Sequence, residues 1–350
     1  MLRVSMMILA LFVAVPTSQA ADFLDWLKPV TSGKSKAKAK LPADDARLLT
    51  LEPGESELYP KVSPDGKTML VVVSKRKSMM ISRRLLENGD PVNVVSDDSH
   101  APDSFAWHGN GQVTFLSKRA GGLGLWEKAA DGRGVLRRLH SLNGQLTQPI
   151  LLKDGSIIAV RLNQEASRQA VRRTRHDVFA NWSATGYRAQ IIRVQQNGAE
   201  QVLSEGTNPA VSPDGNWVVF SMAAGRSQHL FMMRVDGSEL VQLTDARSID
   251  VQPAWSPDGK WIVFTSNRSQ ADMRTPSHSN WDIWAIDRNG RNLSQLTLDK
   301  ARDGGASVAP NGRVYFHSDR KVSKELKTAR QVKGSVGGFH IWSIAMPSGK

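Results

Sequence analysis

Gln252–Arg268 reads QPAWSPDGKWIVFTSNR: an extended segment, a tight turn and a run of β-formers. Pro257 presets φ for the turn, and Gly259 tolerates the left-handed conformation that closes it. A single Pro-Asp-Gly is common and carries little weight. This one recurs. NPAVSPDGNWVVFSM begins at Asn208 and YPKVSPDGKTMLVVVSKR at Tyr59, with weaker copies starting at Ser104, Gln148 and Ala306. The turn glycines are Gly66, Gly111, Gly155, Gly215, Gly259 and Gly312, spaced by 45, 44, 60, 44 and 53 residues. The base period is therefore about 44, with insertions in the third and fifth units. Six turns in register at that period are the signature of propeller blades.

Each unit divides into four strands, a to d. Strand a ends in the SPDG turn, and strand b is the apolar run after it, such as Trp261–Ser266. Strand c is a second run, such as Asp282–Ile286. After another turn comes strand d, for example ELVQLT from Glu239, NLSQLT from Asn292 and PVNVVS from Pro91. The sixth unit ends without a strand d, while Arg47–Leu51 stands before the first unit without a blade. The expectation is an all-β, six-bladed propeller of four-stranded blades, spanning residues 46–350, with the N-terminal strand closing the ring and removing its free edges.

Residues 1–20 have the form of a secretory signal peptide: Arg3, the apolar run Val4–Val15, then Ser18-Gln19-Ala20 before the cleavage point. Export to the periplasm is expected, and no later stretch reaches the about 18 apolar residues of a membrane helix. The chain has no cysteine, so its stability must come from an ordinary core. Residues 21–45 form a basic linker in which Phe23, Leu24, Trp26 and Leu27 make a short apolar patch. That patch reads either as part of a disordered terminus or as a docking peptide. The net charge of +13 favours anionic partners, namely acidic proteins, anionic lipid or anionic glycan, and export makes nucleic acid the poorest fit.

The units beginning at Asn208 and Gln252, with LFMMRVDGSELVQLT and DIWAIDRNGRNLSQLT completing them, resemble the blades of the TolB family, periplasmic propellers of the Tol–Pal system. The resemblance covers about Ala46–Lys350 and is thinnest in blades 2 and 3. It implies protein–protein binding at one end of the central channel, with a peptidoglycan-associated lipoprotein as a typical partner. The folded domain that precedes the propeller in that family has no counterpart in residues 21–45.

Four antiparallel strands put the a–b and c–d turns on one face, and the b–c and d–a connections on the other, the top. The length variation falls on top, where rigid scaffolds carry function. The third b–c connection holds Arg168, Arg172, Arg173, Arg175 and Arg188, and the sixth holds Lys321, Lys324, Lys327, Arg330 and Lys333. These are the candidate binding residues. Arg76, Arg119, Arg268 and Arg320 recur at one repeat position after strand b, so a structural role such as bracing neighbouring blades is expected of them. Trp255, Trp261, Trp284 and Trp342 recur within strands and are expected in the blade core.

No catalytic motif is present. Gly33-Lys34-Ser35 lacks the glycine and strand of a phosphate loop, and no G-x-S-x-G elbow occurs. The reading is a monomeric binding scaffold without cofactor, not an enzyme. The alternative is a metal-dependent, lyase-like enzyme acting on acidic carbohydrate, with His176, His278, His317 and His340 converging at the channel mouth.

Overall fold

A computed structural model describes residues 44–75, 78–96, 104–109, 111–162, 179, 189–332 and 336–347. The first strand, β1 (Arg47–Leu48), stands alone in sequence. Blade 1 comprises β2–β5 (Ser56–Val62, Thr68–Lys75, Ser78–Leu85, Pro91–Ser96). Blade 2 comprises β6–β9 (Phe105–His108, Gln112–Ser117, Gly124–Ala129, Arg137–Ser141). Blade 3 comprises β10–β13 (Leu146–Leu151, Ile157–Leu162, Ala189–Val194, Glu200–Glu205). Blade 4 comprises β14–β17 (Thr207–Val211, Trp217–Ala224, Ser227–Arg234, Val241–Gln242). Blade 5 comprises β18–β21 (Asp250–Trp255, Trp261–Ser266, Asp282–Asp287, Ser294–Gln295). Blade 6 holds β22–β24 (Asp303–Val308, Arg313–Ser318, His340–Ala345), and β1 is its outer strand. Arg47 pairs with Ser343 and Leu48 with Trp342, so the N-terminal strand closes the ring.

The repeat forms these elements for local reasons. Ser256 Oγ donates to Asp258 Oδ1 at 2.5 Å and accepts the Trp261 amide at 2.9 Å, while Asp258 also accepts the Lys260 amide at 3.1 Å. Ser63–Asp65 and Ser212–Asp214 repeat the arrangement. Serine and aspartate thus satisfy the turn amides that the ladder leaves open.

The core lies between blades. Phe105, Phe115 and Trp126 of blade 2 pack on Leu70, Val72 and Ile81 of blade 1. Phe316 and Trp342 of blade 6 pack on Val263 and Ile283 of blade 5, and Tyr315 and Ile341 pack on Met69 and Val71 across the closure seam. Each fully buried Leu, Ile or Phe contributes about 1.5–3 kcal/mol. Trp255 and Trp342 are buried, and Trp261 and Trp284 pack half-buried against the same clusters, as expected for blade core.

Candidate functional site

The inner strands surround the channel, and five of them carry an irregularity with one design. The β2–β3, β10–β11, β14–β15, β18–β19 and β22–β23 ladders each slip by one residue near the middle. The extra residue there has positive φ: 52° at Tyr59, 53° at Gln148, 54° at Asn208 and Gln252, and 60° at Gly305. A bulge releases an amide from the ladder, and that amide needs another acceptor. The preceding blade supplies it. Ser104 Oγ accepts the Gln148 amide at 3.4 Å, and Gln148 Oε1 accepts the Asn208 amide at 2.8 Å. Asn208 Oδ1 accepts the Gln252 amide at 3.4 Å, and Gln252 Oε1 accepts the Gly305 amide at 2.8 Å.

Gly305 has no side chain to continue the ring, so His317 of β23 does so, its Nδ1 accepting the Tyr59 amide at 3.3 Å. That bond places the ring proton on Nε2, which is buried without a hydrogen-bond partner. Burial pushes the His317 pKa down to about 3, so the imidazole is neutral. A Cβ at Gly304 would lie 3.1 Å from Nε2, which explains glycine there.

Beside His317 is an aromatic cluster. Phe179, the described residue of the third b–c connection, is fully buried. Its ring centroid lies 5.6 Å from Trp281, 5.8 Å from Phe339 and 5.9 Å from His317. The Arg302 guanidinium sits over Phe179 at 5.2 Å and over Phe339 at 5.5 Å, and its Nε donates to Asp319 at 2.8 Å.

The recurring arginines have a structural role, but Arg268 and Arg320 brace their own blades rather than neighbouring ones. Arg268 lies over Phe264 and Trp284, at 5.3 Å from each, and pairs with Asp250. Arg320 lies over Phe316 and Trp342, at 5.6 Å from each, and pairs with Asp303 at 2.6 Å. Arg119 repeats the stack over Phe115 and Trp126 and reaches across to Ser96 of blade 1 at 3.4 Å. Arg76 lies outside the described residues. Near Arg320, Asp282 is buried against Ser269 and Asn280, and burial pushes its carboxyl up to about 7, with Asp303 adding to the rise.

Among the candidate binding residues, Lys321 and Lys324 are exposed and Lys327 is half-buried. Lys324 and Lys327 lie on the short helix α1 (Lys324–Ala329), whose N-cap Ser323 accepts the Leu326 amide at 3.2 Å. Arg330 is engaged structurally: it donates to Leu49 O at 3.1 Å and to Asn88 O at 3.3 Å. Arg168, Arg172, Arg173, Arg175, Arg188, Lys333 and the patch Phe23, Leu24, Trp26 and Leu27 lie outside the described residues, as does His176.

The other three histidines are not brought together. His317 pairs with Ile341, and Ser318 with His340, so the two histidines occupy adjacent ladder positions and face opposite sides of blade 6. His340 is buried, and burial lowers its pKa to about 4, while His278 is exposed in a single turn at Pro276–His278. Among the described residues, no three His, Asp or Glu side chains form a metal-binding group. No helix among them is long and apolar enough to cross a membrane.

The bulge ring escaped the sequence reading. Its trace is the residue before proline at the start of four repeats: Tyr59-Pro60, Gln148-Pro149, Asn208-Pro209 and Gln252-Pro253.

Comparison with known proteins agrees with this architecture. The family model of the TolB beta propeller domain matches residues 179–273. No curated protein sequence matches the chain significantly. Among solved structures, a putative TolB from Agrobacterium tumefaciens superposes with a TM-score of 0.52 at 18% identity, covering 84% of this chain and 91% of that one. An oligogalacturonate lyase from Vibrio parahaemolyticus gives 0.51 at 13% identity, with 88% and 96% covered. Regucalcin, a calcium-binding protein from Agrobacterium tumefaciens, gives 0.53 at 13% identity, with 87% and 94% covered. At these identities the structural likeness speaks for the fold alone. With six four-stranded blades and a ring closed by β1, the chain is a six-bladed β-propeller, and its residues 179–273 match the TolB beta propeller domain.

Proposed function

We propose that this propeller is a non-catalytic binding scaffold of the bacterial periplasm, engaging an acidic protein partner of the cell envelope through its basic top rim. The observation that carries the reading is the presentation of Lys321, Lys324 and Lys327. They stand on and beside a capped helix, and Arg330 holds the end of that helix to the closure seam through two backbone carbonyls. The scaffold therefore displays cations whose geometry is set beforehand, which lowers the cost of binding. His317 spends its Nδ1 on the Tyr59 amide and faces the opposite side of blade 6 from His340, which speaks for this reading over a metal-dependent lyase.

The test is capture from a detergent-solubilised envelope extract, with the mature protein as bait beside a Lys321→Glu, Lys324→Glu, Lys327→Glu variant. Wild type is expected to retain envelope proteins that the variant loses, and that retention should weaken as salt rises. Equal retention by both baits would sink the proposal.

A further inference from the structure

The bulge ring leaves two donors over. A backbone N–H can only donate, so the oxygens of Asn208 and Gln252 must face the amides they receive, and their NH2 groups are turned away from those amides. Asn208 Oδ1 accepts the Gln252 amide, and Gln252 Oε1 accepts both the Gly305 amide and, at 3.2 Å, Thr265 Oγ1. Neither Asn208 Nδ2 nor Gln252 Nε2 has a hydrogen-bond partner among the described residues, and both residues are half-buried rather than sealed. Both stand at φ 54°, where a residue other than glycine costs about 1 kcal/mol or more. Blade 6 shows that glycine fits the same place, so the strain at Asn208 and Gln252 is retained for their side chains.

Among the described residues, no unpaired carboxylate of the inner strands opposes an anion there. The acidic residues of the inner strands each face an arginine: Glu57 faces Arg84, Asp250 faces Arg268 and Asp303 faces Arg320. The ring itself, Ser104, Gln148, Asn208, Gln252 and His317, contains no carboxylate.

We infer that the inner strands of blades 4 and 5 form a carboxylate-binding subsite, with Asn208 Nδ2 and Gln252 Nε2 donating to one carboxylate. The carboxylate belongs to a small organic acid or to the C-terminus of a peptide chain. The subsite is independent of the rim helix, so neither proposal falls with the other.

The test is a titration of the full-length mature protein, labelled with 15N, followed through its side-chain NH2 signals. Gln252→Glu and Asn208→Asp keep an oxygen to receive the backbone amide but replace the donor with a second oxygen, so each assigns one pair of signals. The probes are sodium acetate, the peptide Gly-Gly-Ala and its C-terminal amide, each against sodium chloride at equal ionic strength. A saturable shift of the Gln252 and Asn208 NH2 signals with acetate or with free Gly-Gly-Ala, absent with the amidated peptide and with chloride, is the expected result. Saturation by acetate points to a small acid, and saturation by the peptide alone points to a chain terminus. In either variant the affinity should fall about tenfold or more, while the backbone spectrum away from blades 4 and 5 stays unchanged. No saturable shift, an equal shift with chloride or with the amidated peptide, or undiminished binding by both variants would overturn the assignment.

Discussion

Asp44 grips Arg320 through both carboxylate oxygens, at 2.7 and 2.9 Å, and joins the residues before β1 to the heart of blade 6. Its Oδ2 also accepts the Leu298 amide at 2.8 Å, and Arg320 is shared with Asp303. Burial would raise the Asp44 pKa, but Arg320 and the backbone amides outweigh it and hold the carboxyl below its ordinary value. This contact ties the residue three positions ahead of β1 into blade 6.

Asp44→Ala is expected to lower stability by about 2 kcal/mol, because Arg320 stays buried with only Asp303 to balance it. Denaturant unfolding measures the loss. Hydrogen exchange at the Leu49 amide, which donates to Ile341 O at 2.8 Å, should quicken as β1 frays.

Asp282 gives stability a pH dependence of defined sign. Its folded-state pKa, about 7, lies above the ordinary 3.8 expected in the unfolded chain. The folded protein thus holds a proton that the unfolded chain has released. The stabilisation is whole below about pH 4 and is lost as pH rises through about 7. Glu57, raised to about 7, and Asp303, raised to about 6, act in the same sense, so the comparison must be with a variant. Asp282→Asn should flatten the stability profile between pH 4 and 7, gaining on wild type by about 2–4 kcal/mol at the upper end. The new NH2 group can also donate to Asn280 Oδ1, which is buried without a partner. Unfolding midpoints measured across that range decide the matter, and parallel profiles for the two proteins would refute it.

Arg268→Ala should cost about 3–5 kcal/mol, since it leaves Asp250 buried and unpaired and removes the cover from Phe264 and Trp284. Arg268→Lys should recover only part of that, because an ammonium keeps the charge but lacks the planar, forked guanidinium. Thermal unfolding of the two variants beside wild type distinguishes charge from shape.

Arg330→Ala should lower stability by about 1 kcal/mol through the loss of its two carbonyl contacts across the seam. Lys324→Ala, an exposed position, should change stability by no more than about 0.5 kcal/mol. Denaturation of both variants separates a residue that holds the scaffold from one that it displays.

Periodicity determined the blades from the sequence alone. A turn glycine every 44 or so residues, followed by an apolar run, sets strand order, blade number and the faces on which loops fall, because those depend on contacts between near neighbours in the chain. The orphan strand at Arg47 and the missing last strand of blade 6 likewise revealed the closure, since an unpaired edge demands a partner. The repeat position of Arg268 and Arg320 announced a structural task, although the phenylalanine, tryptophan and aspartate that receive them had to be seen. Arg330 shows the limit of such reading: its place in a basic loop suggested a ligand contact, and only the fold brought Leu49 O and Asn88 O within its reach. The bulge ring is decided by the tertiary structure, and the residue before proline at the start of four repeats is only its trace. Gln148, Asn208 and Gln252 each answer an amide on the next blade, about one repeat away, and no local pattern of hydrophobicity or turn chemistry encodes a bond that exists only once the ring has closed.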